Sequence, residues 1–218
     1  MMKSYYKYRI KREIQKLPEI YQIIYGFDEL SKGAKRSCQD RLKVIADRIH
    51  PNSNVYDLGC QIGYFSFSLA EKGHTVKGYE LESILVKIAN LIKKYNGLND
   101  NPIFQMFKVT SQSVEQLPEA DYVLFLSVLH HIIGYEGYDE GLKVLKAIKR
   151  ITRRNLFFET GQSNEKGLWW SDKLPDMGED PKEFLVQMLQ DAGFENAEII
   201  GTFPTHLADI NRYLICAS

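Results

Sequence analysis

The spacing of the hydrophobic residues changes after residue 50. Residues 1–50 have a helical pattern and contain no convincing strand. From residue 51 onward, short continuous apolar runs such as Tyr122–Val128 alternate with stripes at helical spacing, such as Leu142, Leu145 and Ile148. Runs of this length are typical of fully buried strands, whereas the stripes are typical of amphipathic helices. The pattern therefore predicts an N-terminal helical extension over residues 1–50 and a second domain over residues 51–218.

Strands and helices alternate along the second domain. The predicted strands are Val55–Leu58, Thr75–Glu80, Ile103–Val109, Tyr122–Val128, Asn155–Thr160, Ala197–Phe203 and Ile210–Ala217. The clearest helices are predicted at Tyr64–Lys72, Leu81–Tyr95 and Pro181–Ala192. Such alternation forms right-handed crossover units with parallel strands, whereas the last two strands follow one another directly and must form an antiparallel hairpin. The predicted fold class is α/β: a doubly wound, mainly parallel seven-stranded sheet closed by a terminal antiparallel hairpin, with N-terminal helices.

Charge and composition narrow the possible partners. The chain has 218 residues and a formal net charge of zero, so it has no global attraction for nucleic acid or anionic membranes. It contains no run of about 20 apolar residues, the length of a membrane-spanning helix, and its N-terminus lacks the apolar segment of a signal peptide. The three cysteines do not have the spacing of metal ligands. We expect a cytoplasmic protein that neither spans a membrane nor binds a metal.

A glycine-containing loop follows the first predicted strand, in the segment Asp57-Leu58-Gly59-Cys60-Gln61-Ile62-Gly63. Ligands of open α/β sheets bind beyond the carboxyl ends of the strands, and glycine allows the backbone to approach a ligand closely. Glu80 ends the second strand, where a carboxylate can accept hydrogen bonds from a ribose diol. A nicotinamide-binding loop would read Gly-x-Gly-x-x-Gly. Here Gly59 and Gly63 are separated by three residues, and no further glycine is in register. The loop therefore argues strongly against a nicotinamide-dependent dehydrogenase.

The loop, the acidic residue after the second strand and the terminal hairpin together resemble the class I S-adenosylmethionine (SAM)-dependent methyltransferases, over roughly residues 52–218. The family motif Asp-Leu-Gly-Cys-Gly-x-Gly matches this loop except at Gln61, where the family usually has glycine and a side chain would narrow the cofactor pocket or contact the ligand. The resemblance implies a Rossmann-like methyltransferase fold, SAM as the cofactor, and a cofactor site at Asp57, Gly59, Cys60, Gln61, Gly63 and Glu80. Within it, the glycines would face the methionine part and Glu80 the ribose, while Asp57 would contact the methionine amino group or only cap the following turn.

Three later segments also match the family. Ser113 and Val114 begin the segment Ser113-Val114-Glu115-Gln116-Leu117-Pro118, which would surround the adenine. Its last four residues, Glu115-Gln116-Leu117-Pro118, look most like the branch that contains the tRNA wobble-uridine carboxymethyltransferase when they are taken together with Val128-Leu129-His130-His131 and Glu159-Thr160. The resemblance to that branch implies carboxy-SAM as an alternative donor and tRNA as a possible acceptor.

Candidate catalytic residues follow the fourth and fifth strands. His130 and His131 are adjacent and should point in different directions, so that one packs internally and the other, His131 in our interpretation, faces the substrate as a general base. A structural role for both histidines is an equal alternative. Glu159 would either orient the substrate or pair with a basic residue such as Arg212.

A long connection, residues 161–180, follows the fifth strand at the ligand end of the sheet. Long loops at such a position often act as lids. Trp169 and Trp170 would stack on a sugar or base ring, or anchor the loop on the core. His206, in the turn of the terminal hairpin, is a further candidate for contact with the substrate.

The sequence predicts an enzyme, a SAM-dependent methyltransferase that acts on an oxygen of a small molecule or a glycan. A tRNA-modifying enzyme is the first alternative, because basic and aromatic residues are interleaved near the N-terminus. A catalytically silent SAM-binding module is the second alternative, because Gln61 departs from the family motif. The oligomeric state does not follow from the sequence.

Overall fold

The computed structural model describes residues 2–36, 38–206 and 209–218. The chain divides into two compact units, Met1–Lys108 and Val109–Ser218. This division does not coincide with the boundary at residue 50 that the hydrophobic pattern indicated. A separate N-terminal extension over residues 1–50 therefore stays a prediction.

The N-terminal unit is built on three parallel strands in the order β3-β2-β1. Its strands are β1 (Asn54–Leu58), β2 (Thr75–Glu80) and β3 (Ile103–Met106), and its helices are α1 (Met2–Ile14), α2 (Gln39–Ala46), α3 (Tyr64–Glu71) and α4 (Ser83–Tyr95). Val55 of β1 lies opposite Val76 of β2, and this register puts the carboxyl ends of the two strands at the same edge. The glycine loop and Glu80 follow at that edge.

The C-terminal unit contains the other four strands, in the order β4-β5-β7-β6. Its elements are α5 (Ser111–Glu115), β4 (Ala120–Leu126), α6 (Leu129–Glu136), α7 (Tyr138–Ile151), β5 (Thr152–Glu159), α8 (Lys182–Asp191), β6 (Ala197–Pro204) and β7 (Asn211–Ala217), with a short 3-10 helix at Ser171–Lys173. Strands β4 and β5 are parallel, whereas β7 is antiparallel to both β5 and β6. The predicted fold class, a mainly parallel seven-stranded sheet with a terminal antiparallel hairpin, is confirmed.

Helix α7 is amphipathic, and the helices of the described residues are short. In α7 the side chains of Val144, Leu145 and Ile148 are fully buried, while Lys143 and Lys146 are exposed. This arrangement buries the apolar stripe and leaves the basic residues in solvent, as the helical spacing indicates. The longest helix, α7, has 14 residues. Within residues 2–36, 38–206 and 209–218, no helix combines the length and apolarity required to cross a membrane.

Several predicted boundaries differ from the structure. The third strand ends at Met106 rather than Val109, and the fourth ends at Leu126 rather than Val128. Ser127 has a φ of 60°, which ends the extended backbone, and helix α6 then begins at Leu129. In residues 15–36 and Cys38 the chain forms turns and bends instead of continuous helix, with left-handed glycines at Gly26 and Gly33.

Helix α1 contributes to the hydrophobic core of the N-terminal unit. Ile10 is fully buried and Ile14 is nearly so, and both belong to one apolar cluster with Ile88, Ala89 and Ile92 of α4. The opposite side of α1 is open to solvent, since Tyr5 and Tyr8 are exposed. The first helix is thus part of the folded unit through one face.

We expect Ile10→Ala to lower the free energy of unfolding by about 2–5 kcal/mol, the usual result of truncating a buried isoleucine. The matched control is Tyr8→Ala on the exposed side of the same helix, which should change stability by no more than about 0.5 kcal/mol. Urea denaturation followed by circular dichroism measures both variants. Equal, small effects would show that α1 does not pack on α4 in solution.

Candidate functional site

The loop after β1 is folded against the end of β2 by backbone hydrogen bonds. The N–H groups of Gly59 and Cys60 both donate to the carbonyl oxygen of Tyr79, at 2.8 and 3.0 Å, and the N–H of Gly63 donates to the carbonyl of Cys60. Gly63 has a φ of 87°, and a Cβ atom there would lie 2.5 Å from the ring of Phe104. Glycine at this position is therefore required both by the backbone conformation and by packing.

Gln61 occupies the position at which the sequence departs from the family motif. Its φ is 57°, in the left-handed region that glycine adopts easily and other residues adopt at some energetic cost. The side chain turns back on the loop, where Oε1 accepts a hydrogen bond of 2.7 Å from the N–H of Ile62. This contact stabilises the loop and accounts for a non-glycine residue at a position with glycine-like geometry.

Glu80 joins the glycine loop to the end of β2. One carboxylate oxygen accepts from the N–H of Gln61 at 2.9 Å, and the other accepts from the N–H of Glu82 at 3.1 Å. Burial raises the pKa of Glu80, although these backbone hydrogen bonds oppose that effect. Each carboxylate oxygen keeps capacity for a further hydrogen bond, so Glu80 can still accept donors from a ligand.

Asp57 lies in β1 and is almost completely buried. Its Oδ2 accepts a hydrogen bond of 2.7 Å from the hydroxyl of Ser66 in the first turns of α3, and the backbone of Ser66 also donates to it. Burial raises the pKa of Asp57 to about 7, against the lowering effect of the Ser66 hydrogen bonds and with a smaller contribution from the charge of Glu80. Asp57 thus makes the helix-capping contact, and a nearby cation would favour its ionised form.

The remaining expected cofactor residues have structural contacts of their own. Cys60 is buried, and burial raises the pKa of its thiol well above the usual value. In the C-terminal unit, Ser113 forms a capping box with Thr110, in which each side chain accepts from the other residue's backbone N–H. Val114 is fully buried. Contacts of Ser113 and Val114 with an adenine stay predictions.

His130 and His131 begin helix α6 and point to different environments. His130 is buried, and its Nδ1 accepts a hydrogen bond of 2.9 Å from the N–H of Gly161, which leaves Nε2 to carry the proton. The backbone N–H of His130 donates to the hydroxyl of Thr160. His131 is exposed, and desolvation by surrounding protein together with the charge of Arg212 lowers its pKa. Of the two rings, that of His131 is accessible to a substrate.

The two tryptophans of the connection between β5 and α8 are also divided between core and surface. Trp170 is buried, with its ring 4.4 Å from the ring of His130 and 5.6 Å from the guanidinium of Arg212. Trp169 is 47% exposed and stacks near His131, with 5.9 Å between ring centroids. Trp170 anchors the connection, whereas Trp169 remains at the surface.

A buried ion pair fastens the same connection to strand β7. Arg212 donates two hydrogen bonds, of 2.7 and 2.8 Å, to the carboxylate of Glu165, and both side chains are buried. Another Arg212 nitrogen donates to the hydroxyl of Ser127, which in turn donates to the buried Glu159 at 2.5 Å. Glu159 is therefore linked to Arg212 through Ser127.

Ser127 and Glu165 are not among the site residues that the sequence predicts. Ser127 stands in an apolar run, and nothing in the neighbouring sequence marks it. Its positive φ is seen only in the structure. A signal was available for Arg212, because a charged residue in the apolar strand sequence of β7 suggests a buried partner. His206 is partly buried in the hairpin connection, while Leu207 and Ala208 of that predicted turn lie outside the described residues. In the described ranges 2–36, 38–206 and 209–218, no three His, Cys, Asp or Glu side chains are grouped as metal ligands would be.

Comparisons with known proteins agree with the cofactor motif. A family profile described as "Methyltransferase domain" matches residues 30–199. Two curated Escherichia coli proteins, both named O-antigen chain terminator bifunctional methyltransferase/kinase WbdD, are 33% and 32% identical to the chain over 216 residues. The match covers 93% of this chain but only 28% of each relative, so the chain spans less than a third of their length.

Solved structures of methyltransferases are also similar to this chain. A crystal structure of WbdD is similar with a TM-score of 0.83 and 30% identity, covering 96% of this chain and 46% of that one. Magnesium protoporphyrin IX methyltransferase from Synechocystis PCC 6803 with bound SAM has a TM-score of 0.62 and 20% identity, covering 99% and 94% of the two chains. At that identity the second likeness concerns the fold alone.

The expected branch, that of the tRNA wobble-uridine carboxymethyltransferase, is wrong, because the matched relatives are WbdD proteins. The structure offers a physical reason for the error. His130 and Thr160, two of the residues that suggested the branch, hold the ends of α6 and β5 together. Residues with such contacts follow the architecture of the sheet and do not identify an acceptor.

We expect Glu165→Gln to lower the free energy of unfolding by about 3–5 kcal/mol, because it removes the charge of the carboxylate that is hydrogen-bonded to the buried Arg212. The control is Glu119→Gln, which removes one partner of the exposed Arg153–Glu119 pair and should cost at most about 1 kcal/mol. Thermal and urea denaturation of both variants provide the measurement. If the two variants lose the same small amount, the Arg212–Glu165 pair is not excluded from water.

Proposed function

Because this chain belongs to the class I SAM-dependent methyltransferases, we propose that it transfers a methyl group to a hydroxyl oxygen of a glycan. One observation carries the choice of acceptor. The chain is 33% identical, over 93% of its length, to proteins named O-antigen chain terminators, and the O-antigen is a glycan. The accessible ring of His131 in the C-terminal unit supports the same reaction.

The N-terminal unit contains groups that fit the donor. Bound SAM supplies a methyl group on a positively charged sulfur, so the protein needs chiefly to hold and orient the reactants. In our proposal Glu80 accepts hydrogen bonds from the ribose hydroxyls, and Asp57 accepts from the methionine amino group. Gly59, Cys60, Gln61 and Gly63 line the methionine part. Two buried carboxylates with raised pKa values suit a ligand that is rich in donors and carries positive charge.

The remaining proposed cofactor contact concerns the adenine. Ser113 and Val114 of α5 would lie against it, through backbone atoms in the case of Ser113, because its side chain is engaged in the capping box. Carboxy-SAM, the alternative donor, was suggested only by the likeness to the carboxymethyltransferase branch. We therefore propose SAM itself as the donor.

The C-terminal unit contains groups that fit the acceptor. We propose that Nε2 or Nδ1 of His131 takes the proton of the acceptor hydroxyl. Bound SAM would supply the methyl group to that oxygen, and the electron pair of the broken S–CH3 bond would stay on the sulfur. A lowered pKa keeps the imidazole neutral near pH 7, which is the form a general base requires. Glu159 is buried, and we propose that it acts as a positioning residue: it fixes the hydroxyl of Ser127, which in turn contacts Arg212. Trp169 and His206 are proposed contacts of the substrate, and Trp170 supports Trp169 from the core.

The alternative acceptor, tRNA, would have to be bound by basic residues. Near the N-terminus, four of these residues have acidic partners: Lys7 and Lys11 pair with Glu29, while Arg12 and Lys16 pair with Glu13. Two others, Lys3 and Arg9, lie over the rings of Tyr95 and Tyr5. Such pairing reduces the positive charge that phosphates would meet. We therefore keep tRNA modification, like the silent SAM-binding module, as an outcome of the experiments below.

We expect the affinity for S-adenosylhomocysteine to rise with pH and to level off near pH 7. Asp57 must ionise to accept a hydrogen bond from the ligand's ammonium group, so below its pKa of about 7 affinity should fall by up to about tenfold per pH unit. Isothermal titration calorimetry from pH 5.5 to 8 measures the dependence.

The control for this experiment is Asp57→Asn, which cannot ionise and should bind more weakly at pH 8 with a flatter dependence on pH. An identical pH profile in wild type and variant would remove Asp57 from the amino-group site. Binding of NAD with no binding of S-adenosylhomocysteine would contradict the proposed donor.

The proposed reaction is tested by incubating the protein with deuterated-methyl SAM and bacterial polysaccharides, followed by mass spectrometry of the methylated sugars. We expect His131→Asn to lower kcat by about 10²–10⁴-fold with little change in the KM for SAM, because it removes the base and leaves the donor site intact. In wild type, activity should fall as the pH drops below about 6.5, since the folded-state pKa lies under the ordinary histidine value.

The matched control is His50→Asn, a substitution of an exposed histidine in the N-terminal unit. Methyl transfer to tRNA, with salt-sensitive binding and no transfer to glycans, would favour the tRNA alternative. Binding of SAM without transfer to any acceptor would favour the silent module.

A further inference from the structure

We infer that Tyr135 and Trp169 form a stacking platform for a pyranose ring of the acceptor. This inference rests on the proposed glycan acceptor and deepens it, because it assigns the part of the acceptor that the protein recognises. Tyr135 carries no role in the family motifs described above. Tyr135 and Trp169 are far apart in the sequence, and their contact appears only in the folded chain.

The two side chains stand out by their exposure. Tyr135 on α6 is 76% exposed and Trp169 is 47% exposed, and within the described part of Val109–Ser218 they are the exposed large hydrophobic residues. Their ring centroids are 4.5 Å apart, with 45° between the ring planes. Isolated exposed apolar residues are common, whereas adjoining exposed aromatic residues form a larger continuous apolar surface of the kind found at binding sites.

Trp169 is held in place by contacts with helix α6 and Lys173. A Cβ atom on Gly134 would lie 2.9 Å from the Trp169 ring, so this glycine lets the ring settle on helix α6. Lys173 donates a hydrogen bond of 3.0 Å to the carbonyl of Gly134, and its ammonium lies 5.1 Å from the centre of the Trp169 ring. The neighbouring Trp170 is buried in the core. A surface fixed before binding loses less conformational entropy when a ligand arrives.

The platform lies beside the proposed base. His131 and Trp169 are nearly parallel, with 24° between their planes and 5.9 Å between their centroids. Because His131 packs against Trp169, a sugar bound to the exposed part of the two aromatic rings would lie next to the proposed base. This arrangement relates recognition of the acceptor to removal of its proton within one unit of the chain.

The chemistry of the platform suits a sugar. One face of a pyranose ring consists of C–H groups, which carry slight positive charge and pack on the negative face of an aromatic ring. The rim of the sugar consists of hydroxyl groups, which would remain free to form hydrogen bonds beyond the aromatic rings. A nucleic acid would require several cations for its phosphates, whereas the contacts of this platform are mainly aromatic.

The test measures binding of glycans to the full chain saturated with S-adenosylhomocysteine. The probes are an array of pyranose oligosaccharides together with polysaccharides released from bacterial lipopolysaccharide. We expect the wild type to bind at least one of them, and Tyr135→Ala and Trp169→Ala each to weaken that binding at least tenfold. Trp169→Phe, which keeps an aromatic face, should retain most of it. The matched control is Tyr8→Ala, an exposed aromatic residue of α1, which should change nothing.

Tryptophan fluorescence supplies an independent reading. The chain has two tryptophans, and Trp170 is buried while Trp169 is exposed, so quenching of the exposed tryptophan by a bound sugar should be absent in Trp169→Phe. No binding to any probe at millimolar concentration, or binding that both alanine variants retain, would overturn the platform. Preferential binding of single-stranded oligoribonucleotides to Tyr135 and Trp169 would also overturn it.

Failure of the platform and failure of the proposed function have different signatures. If glycans are methylated and Tyr135→Ala leaves the KM for the glycan unchanged, the platform is refuted and the methyltransfer stands. If glycans bind through the two aromatic residues and no methyl group is transferred, the platform stands and the proposed reaction is refuted.

Discussion

The buried ion pair between Arg212 and Glu165 is the interaction on which the candidate acceptor site depends. Taking either charge out of water alone would cost several kcal/mol, whereas the two parallel hydrogen bonds satisfy both groups at once. Because Arg212 lies in β7 and Glu165 lies in the connection after β5, the pair ties that connection to the sheet. Trp170 packs against the guanidinium of Arg212, and both side chains are buried. Trp169 is thereby left at the surface beside His131.

The N-terminal unit stabilises its buried carboxylates in a different way. Asp57 and Glu80 accept hydrogen bonds from the Ser66 hydroxyl and from backbone N–H groups. These contacts do not fully compensate for burial, because the pKa values of both residues remain raised. A ligand that brings an ammonium group and ribose hydroxyls would supply the missing stabilisation. In our proposal, Asp57 and Glu80 therefore contribute most to donor binding, because their ionised forms gain most stabilisation from it.

The sheet could be predicted from the sequence because its signals are local. Apolar runs, helical stripes and glycine stops locate β1, β2 and the terminal hairpin to within a few residues. Helix α6 could not be found in this way, because Ser127 interrupts an apolar run without any local mark. Its left-handed backbone is accompanied by contacts with Glu159 and Arg212, which are distant in sequence. The exposure of Tyr135 likewise depends on which surfaces the rest of the fold covers, so no periodicity could indicate it.

The adjacent histidines explain how a correct family could be accompanied by a wrong branch. His130 is held by Gly161 and Thr160 at the end of β5, so a chain with this sheet has a structural reason to keep it whatever it methylates. His131 has no such contact among these hydrogen bonds and instead faces Trp169 at the surface. In our proposal, these two neighbouring residues therefore carry different information: His130 reflects the architecture and His131 the substrate. Similarity at buried positions such as His130 identifies the fold, whereas acceptors should be compared at exposed positions around His131, Tyr135 and Trp169.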